Sequence, residues 1–181
     1  MGSSESILDA DLGILFRGKG LDELINQLHL HVKKFDVDYN DLAGRSIRSP
    51  FFSMLYFVFK TNGVKDWWSG LKLSDKHTGT AHTIQYHHIF PKSLLKEYEK
   101  KEVNEIANMA FIGGKANRYI TNKEPKDYME KIIKEQKEEA LISQLIPIDR
   151  DMWELTKYRD FLTFRRKAIA DAINEFMKRF E

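Results

Sequence analysis

Between Leu21 and Phe35 the apolar positions fall at Leu21, Leu24, Ile25, Leu28 and Val32. This is the three- and four-residue spacing of a helix with one buried face, and it predicts an amphipathic helix over 21–35. His29 and His31 lie on that stretch two positions apart, so they face different sides of a helix and do not form a metal pair. Ser49-Pro50 predicts a helix start, with Ser as N-cap and Pro at the first position, and the apolar run from Phe51 to Phe59 continues it to about Lys60. Asn62-Gly63 stops it. Asp66-Trp67-Trp68-Ser69-Gly70 predicts a turn with an aromatic anchor that packs on the Phe-rich helix. The two tryptophans are also candidates for stacking on bases.

The pattern then changes period. Lys72 to Thr83 is polar and loop-like, whereas Thr83 to Ile89 is rich in β-branched and aromatic residues and reads as extended until Pro91 breaks it. Lys92 to Lys100 reads as a short helix or irregular arm. Asn104 to Ile112 reads as a second extended segment, Gly113-Gly114 as a sharp break and Ala116 to Ile120 as a short helix. The predicted order is strand, excursion, strand, helix. Glu124-Pro125 opens a further helix with Tyr128, Ile132 and Ile133 on one face. Tyr158 to Phe180 reads as a long helix with Phe161, Leu162, Ile169, Ile173 and Phe176 apolar, and with Arg165-Arg166-Lys167 and Lys178-Arg179 as a basic side. No internal repeat or low-complexity stretch interrupts this order.

Composition narrows the possibilities. At 181 residues with 42% hydrophobic, the chain suffices for one domain with a core. The longest strongly apolar run, Phe51 to Phe59, is far short of the ~20 residues that a membrane-spanning helix needs, so no membrane association is expected. The polar start Met1-Gly2-Ser3-Ser4 carries no secretory signal. Cysteine is absent, which excludes disulfides and thiolate metal sites and fits a reducing cytoplasm, the expected location. Net charge is only +2, so overall charge does not mark a strong nucleic-acid binder. Locally the balance differs: Tyr86 to Lys126 holds eight basic residues against five acidic ones, which modestly favours a polyanionic substrate.

The chemistry concentrates in Tyr86-His87-His88-Ile89-Phe90-Pro91-Lys92-Ser93, followed by Asn108 and by Asn117-Arg118. Phosphodiester hydrolysis requires a base for the attacking water, neutralisation of charge on the phosphate and stabilisation of the departing oxygen. Adjacent residues on a strand point to opposite faces, so two neighbouring histidines divide the work: one can hold a divalent cation while the other meets water. Asn117 can offer a side-chain oxygen to the same cation, and a mixed nitrogen and oxygen set admits Mg²⁺, Mn²⁺, Ni²⁺ or Zn²⁺. Lys115 and Arg118, on the same predicted helix, can touch phosphate, with Lys92 just beyond the histidines a further candidate. Asn108 suits a different task, tying backbone groups across the connection between the strands.

His-His-Ile-Phe-Pro, then Asn-Glu-Ile-Ala-Asn-Met-Ala, then Lys-Ala-Asn-Arg resembles an HNH endonuclease, a ββα-metal nuclease. The resemblance implies an α+β fold, mostly helical around a small ββα-metal motif. It assigns His87 as metal ligand, His88 as general base, Asn108 as organiser of the loop and Asn117 as second ligand. The last position is often His in the family, and Asn also occurs there, as in the HNH domain of RNA-guided CRISPR nucleases. Mg²⁺ is the first expectation for the cation.

Residues 45 to 181 further resemble the C-terminal half of GmrSD-type restriction proteins. This is carried by Val103 to Asn108, Asn117 to Ile120, Lys123 to Met129, Tyr158 to Leu162 with Arg165-Arg166, and the Phe-rich helix with Asp66-Trp67. The implied organisation is a helical region over 1–80 packing on the nuclease core, the ββα-metal motif over 81–125 and a helical region over 126–181. The implied function is metal-dependent cleavage of DNA in restriction or anti-phage defence. A partner domain or subunit that hydrolyses nucleotides or senses DNA is also implied, because such relatives carry one. Its Asp-Gly-Gln-Gln-Arg motif does not occur here, so nucleotide hydrolysis is not carried over, and the chain is either a piece of a longer protein or a stand-alone nuclease. Two rival readings are an RNA-cleaving toxin-like nuclease and a non-catalytic binding module on a decayed nuclease scaffold.

Overall fold

The computed structural model describes residues 4–31, 36–67, 69–73 and 84–180, without the side chains of Ser4, His29, His31, Lys115 and Phe180. The expectations for Trp68, for the two N-terminal histidine side chains and for most of the polar stretch 72–83 lie outside the described residues. The chain separates into two compact units, 1–36 and 37–181. Among the described residues no helix is long and apolar enough to cross a membrane.

The first unit holds α1 (Ser4–Phe16) and α2 (Leu21–His31), joined by a turn in which Gly18 adopts φ +67°. Its apolar residues only partly bury themselves: Ile14 is enclosed, whereas Leu8, Leu15, Phe16 and Leu21 are exposed. Helix α1 has no counterpart in the sequence pattern, because Ile7, Leu8, Leu12, Ile14 and Leu15 crowd more than one face and leave no clean stripe.

The second unit is built on two helices that flank a small sheet. Helix α3 (Pro50–Thr61) starts where Ser49 caps it by accepting a hydrogen bond from the Phe51 N–H at 3.4 Å. Helix α8 (Tyr158–Met177) buries Tyr158, Phe161, Leu162, Arg165, Ile169 and Ile173 at three- and four-residue intervals. Between them lies a two-stranded antiparallel sheet, β1 (Ile84–His88) and β2 (Met109–Gly113), in which Ile84 pairs with Gly113 and His88 with Met109. The connection carries a short helix, α4 (Lys100–Val103), and a 3₁₀ turn, Ile106–Asn108. The extended segment expected from Asn104 therefore begins only at Met109. The apolar run does not distinguish a strand from a tight turn, and a hydrogen bond from the Ile106 N–H to the Arg45 carbonyl, at 2.7 Å, holds it as a turn. Helix α5 (Gly114–Ile120) follows β2 directly, so the chain forms strand, excursion, strand, helix. Helices α6 (Pro125–Gln136) and α7 (Glu139–Ile142) complete the unit.

A two-stranded sheet is marginal on its own, and one edge of β2 would be left without partners. Side chains from elsewhere fill that edge. Gln144 accepts from the Phe111 N–H at 2.9 Å and donates to the Phe111 carbonyl at 2.8 Å. Asp66 accepts from the Gly113 N–H at 2.6 Å. Arg165, fully buried, donates to the carbonyls of Ala107 (2.6 Å), Met109 (2.8 Å), Gln144 (2.9 Å) and Leu145 (3.2 Å). Arg166 pairs with the buried carboxylate of Glu105. The expected basic side is corrected for Arg165 and Arg166, which turn inward because unpaired backbone oxygens and a buried carboxylate require donors there, while Lys167, Lys178 and Arg179 are exposed.

Aromatic packing locks the hairpin between the helices. Phe111 on β2 stacks on Phe52 of α3 with ring centroids 5.1 Å apart, and Phe90, just past β1, sits 4.9 Å from Phe161 and 5.1 Å from Tyr158 of α8. Trp67 is buried against Tyr128, which makes it a core residue rather than a stacking platform. Each such ring contributes about 1.5–3 kcal/mol of burial, which fixes both ends of the histidine-bearing segment.

Candidate active site

His87 and His88 close β1, opposite Ala110 and Met109. Strand alternation sends them to different faces. On the first face, Gln85 and His87 lie two residues apart and meet α5, where the Asn117 amide donates to Gln85 Oε1 at 2.7 Å. Asn117 lies close enough to His87 to favour its charged form, but burial outweighs that and lowers the His87 pKa. His87 Nε2 is buried and has no hydrogen-bond partner among the described residues; Trp67 Nε1, in the core, is the other such side-chain atom. An unpaired buried ring nitrogen is costly, so a group that binds it is expected at that point.

On the second face, His88 Nε2 lies 3.3 Å from Asn104 Oδ1. Asn104 donates its own amide to the Lys100 carbonyl at 2.8 Å, which turns the oxygen toward the imidazole. Because that oxygen can only accept, Nε2 carries the proton and Nδ1 keeps its lone pair. Burial above all, together with the Lys92 charge and that of His87, lowers the His88 pKa to about 4, against the Asn104 hydrogen bond. The ring is therefore neutral at physiological pH.

Asn108 lies beneath both histidines and is completely buried. Its Oδ1 accepts from the Phe90 N–H at 2.9 Å, and its amide donates to the carbonyls of Phe90 and Val103, each at 3.1 Å. The Ile89 N–H reaches the Asn108 carbonyl at 2.8 Å, and the Tyr128 hydroxyl donates to the Ile89 carbonyl at 2.7 Å. The turn after His88 is thus held from three sides.

The structure divides the phosphate candidates. Lys92 lies beside His88 on the rim of a cavity of about 750 Å³. Arg118 is exposed on α5 next to Asn117, on the other face, and does not line that cavity. The Lys115 side chain lies outside the described residues. Two residues that the sequence did not mark as site residues complete the site: Gln85, which holds Asn117, and Asn104, which holds His88. Spacing marks neither: Gln85 reads as a solvent-facing strand residue, and Asn104 lies 16 residues beyond His88.

The donor set fits a divalent cation. His87 Nε2 has no partner among the described residues, and the Asn117 side chain, its amide nitrogen engaged with Gln85, lies beside His87. Among the described residues no group of three or more His, Cys, Asp or Glu side chains converges. A cation here would thus have two protein ligands and complete its shell from solvent and substrate, as hard cations at phosphoryl sites commonly do.

The family model for the C-terminal domain of GmrSD restriction endonucleases matches residues 39–170. No curated protein and no solved structure matches the chain.

Proposed function

The chain belongs to the family of GmrSD restriction endonuclease C-terminal domains, and on that premise we propose that it is an HNH-type, metal-dependent endonuclease that hydrolyses DNA phosphodiester bonds. The observation that carries this reading is the pair at the end of β1. His87 presents a buried, unpartnered nitrogen beside Asn117, and His88, one residue on, is neutral with its proton fixed on Nε2.

In this mechanism His87 and Asn117 would hold the cation, with Mg²⁺ the first choice. When bound, the cation supplies Lewis acidity toward the phosphate and the departing oxygen. His88 Nδ1 takes the proton from the attacking water, and Asn104 stabilises the imidazolium by accepting from Nε2–H. Gln85 orients Asn117, and Asn108 keeps the turn from Ile89 to Pro91 in place so that the two histidines keep their relation. Lys92 and Arg118 face the substrate's charge from the two sides. The family membership supports a role in restriction of foreign DNA, together with a partner domain that recognises it.

The test is nicking of supercoiled plasmid with Mg²⁺ or Mn²⁺, with chelator as control and a matched RNA alongside. The proposal expects cation-dependent conversion of DNA to open circles. Preferential cleavage of the RNA would replace DNA as the substrate, and no cleavage of either with any divalent cation would overturn the enzyme reading.

A further inference from the structure

The cavity beside His88 has one-sided chemistry. Arg48, Lys92, Lys100 and Lys101 line it, with Tyr86 and His88, and among the described residues no acidic side chain contributes to its wall. Among the described residues the side chains of Arg48, Lys92 and Lys100 form no ion pair, and all three residues are exposed. Lys101 pairs with Glu99 at 3.0 Å, but both side chains are two-thirds exposed, so the pair is weak and water or a stronger anion can replace Glu99.

The wall bearing Arg48 is built rather than incidental. The Gly44 N–H donates to Glu105 Oε2 at 2.9 Å, Ser46 forms a β-bridge with Glu105, and the Ile106 N–H donates to the Arg45 carbonyl at 2.7 Å. Gly44 adopts φ +69°, a conformation that other residues adopt only with strain. Arg166 neutralises the Glu105 carboxylate that anchors this loop, so the anchor does not cancel the positive field of the cavity. On the opposite wall Tyr86 is half-exposed, with its ring held edge-on by Phe52 at 5.7 Å.

We propose that this cavity is the track of the nucleic-acid strand: Arg48, Lys92 and Lys100 bind successive phosphates, Lys101 guards the edge, and Tyr86 packs against a sugar or base. This deepens the nuclease reading and rests on it, because His88 opens into the same cavity. It also moves much of the phosphate contact from α5 to residues 44–48 and α4. Concentrating the cations here offsets a net charge of only +2.

The test is binding of a short fluorescent DNA duplex to the whole chain in chelator, followed by anisotropy over a range of salt. Three to four phosphates neutralised predict a slope of log affinity on log salt of about −3. Arg48→Ala and Lys100→Ala should each flatten the slope by about 0.9 and weaken binding about 5-fold at 0.15 M salt. Lys134→Ala, an exposed cation of α6 outside the cavity, should change neither. Parent-like binding by both cavity variants overturns the track even if the protein cuts DNA, and so does a parent chain with no affinity at low salt. Binding with the expected slopes but no cleavage with any cation keeps the track and removes the nuclease reading.

Discussion

Replacing Asn108 by Ala removes three hydrogen bonds from a completely buried position. The Phe90 N–H is left without an acceptor, which costs about 1–3 kcal/mol, and the carbonyls of Phe90 and Val103 each lose a donor, at about 0.5–1 kcal/mol apiece. The total, about 3 kcal/mol, is a large share of the roughly 5–15 kcal/mol that holds a domain folded. With a denaturant slope of about 2 kcal/mol/M, the urea midpoint should fall by about 1.5 M. Asn108→Asp is a sharper probe. It keeps the acceptor for Phe90 but sets a carboxylate against two carbonyl oxygens, so its pKa rises in the folded state. Its penalty is full at neutral pH and is relieved, relative to the parent, as pH falls through that raised pKa. A midpoint shift below about 0.5 M for Asn108→Ala, with an unchanged slope, would refute the claim that Asn108 holds the turn after His88.

Other expectations follow from the same contacts. Mn²⁺ at a hundred times its dissociation constant should stabilise the parent by about 2.7 kcal/mol in thermal melts, and should not stabilise His87→Ala or Asn117→Ala. Gln85→Ala, which frees the Asn117 amide, should weaken Mn²⁺ binding about 10- to 100-fold by calorimetry; an unchanged affinity would remove Gln85 from the site. The His88 pKa in the folded protein, about 4, lies below the ordinary 6.5, so the unfolded chain binds more protons between these values. Its stabilising contribution is present above pH 6.5 and is lost as pH falls through 4. Metal-free His88→Gln should therefore lose less stability than the parent across that window, and parallel curves would contradict the assignment. Arg165→Met should cost about 2–4 kcal/mol by urea unfolding because four carbonyl oxygens lose a donor, and Arg165→Lys should recover at most half, since an ammonium cannot span all four.

How much was legible in the sequence depended on where each residue finds its partner. Ser49-Pro50 and Asn62-Gly63 act on the backbone next to them, so the bounds of α3 are nearly readable from the chain. The adjacent histidines and the two spaced asparagines stand out by type and order. Gln85 does not, because a polar residue on a strand reads as a solvent face; it gains meaning only when α5 returns across β1 and brings Asn117, 32 residues on, to 2.7 Å. Arg165 is hidden for the opposite reason. It sits in a basic run that resembles surface, and its partners are backbone oxygens, which leave no mark in a sequence. Arg48 reads as one cation in a loop and becomes a cavity wall only through the pairing of Gly44 to Ser46 with Glu105. The 3₁₀ turn over Ile106–Asn108 escapes a periodicity argument because a stretch buried at every position, Asn108 included, has no period to read.

The assignment of His88 as the base is the centre of the account. It is tested most directly by single-turnover cleavage of a labelled DNA duplex, with saturating protein and Mn²⁺, comparing the parent with His88→Ala. The rate should be about 10²- to 10⁴-fold lower for the variant, with DNA affinity and Mn²⁺ affinity unchanged. A variant that cuts as fast as the parent would contradict the assignment.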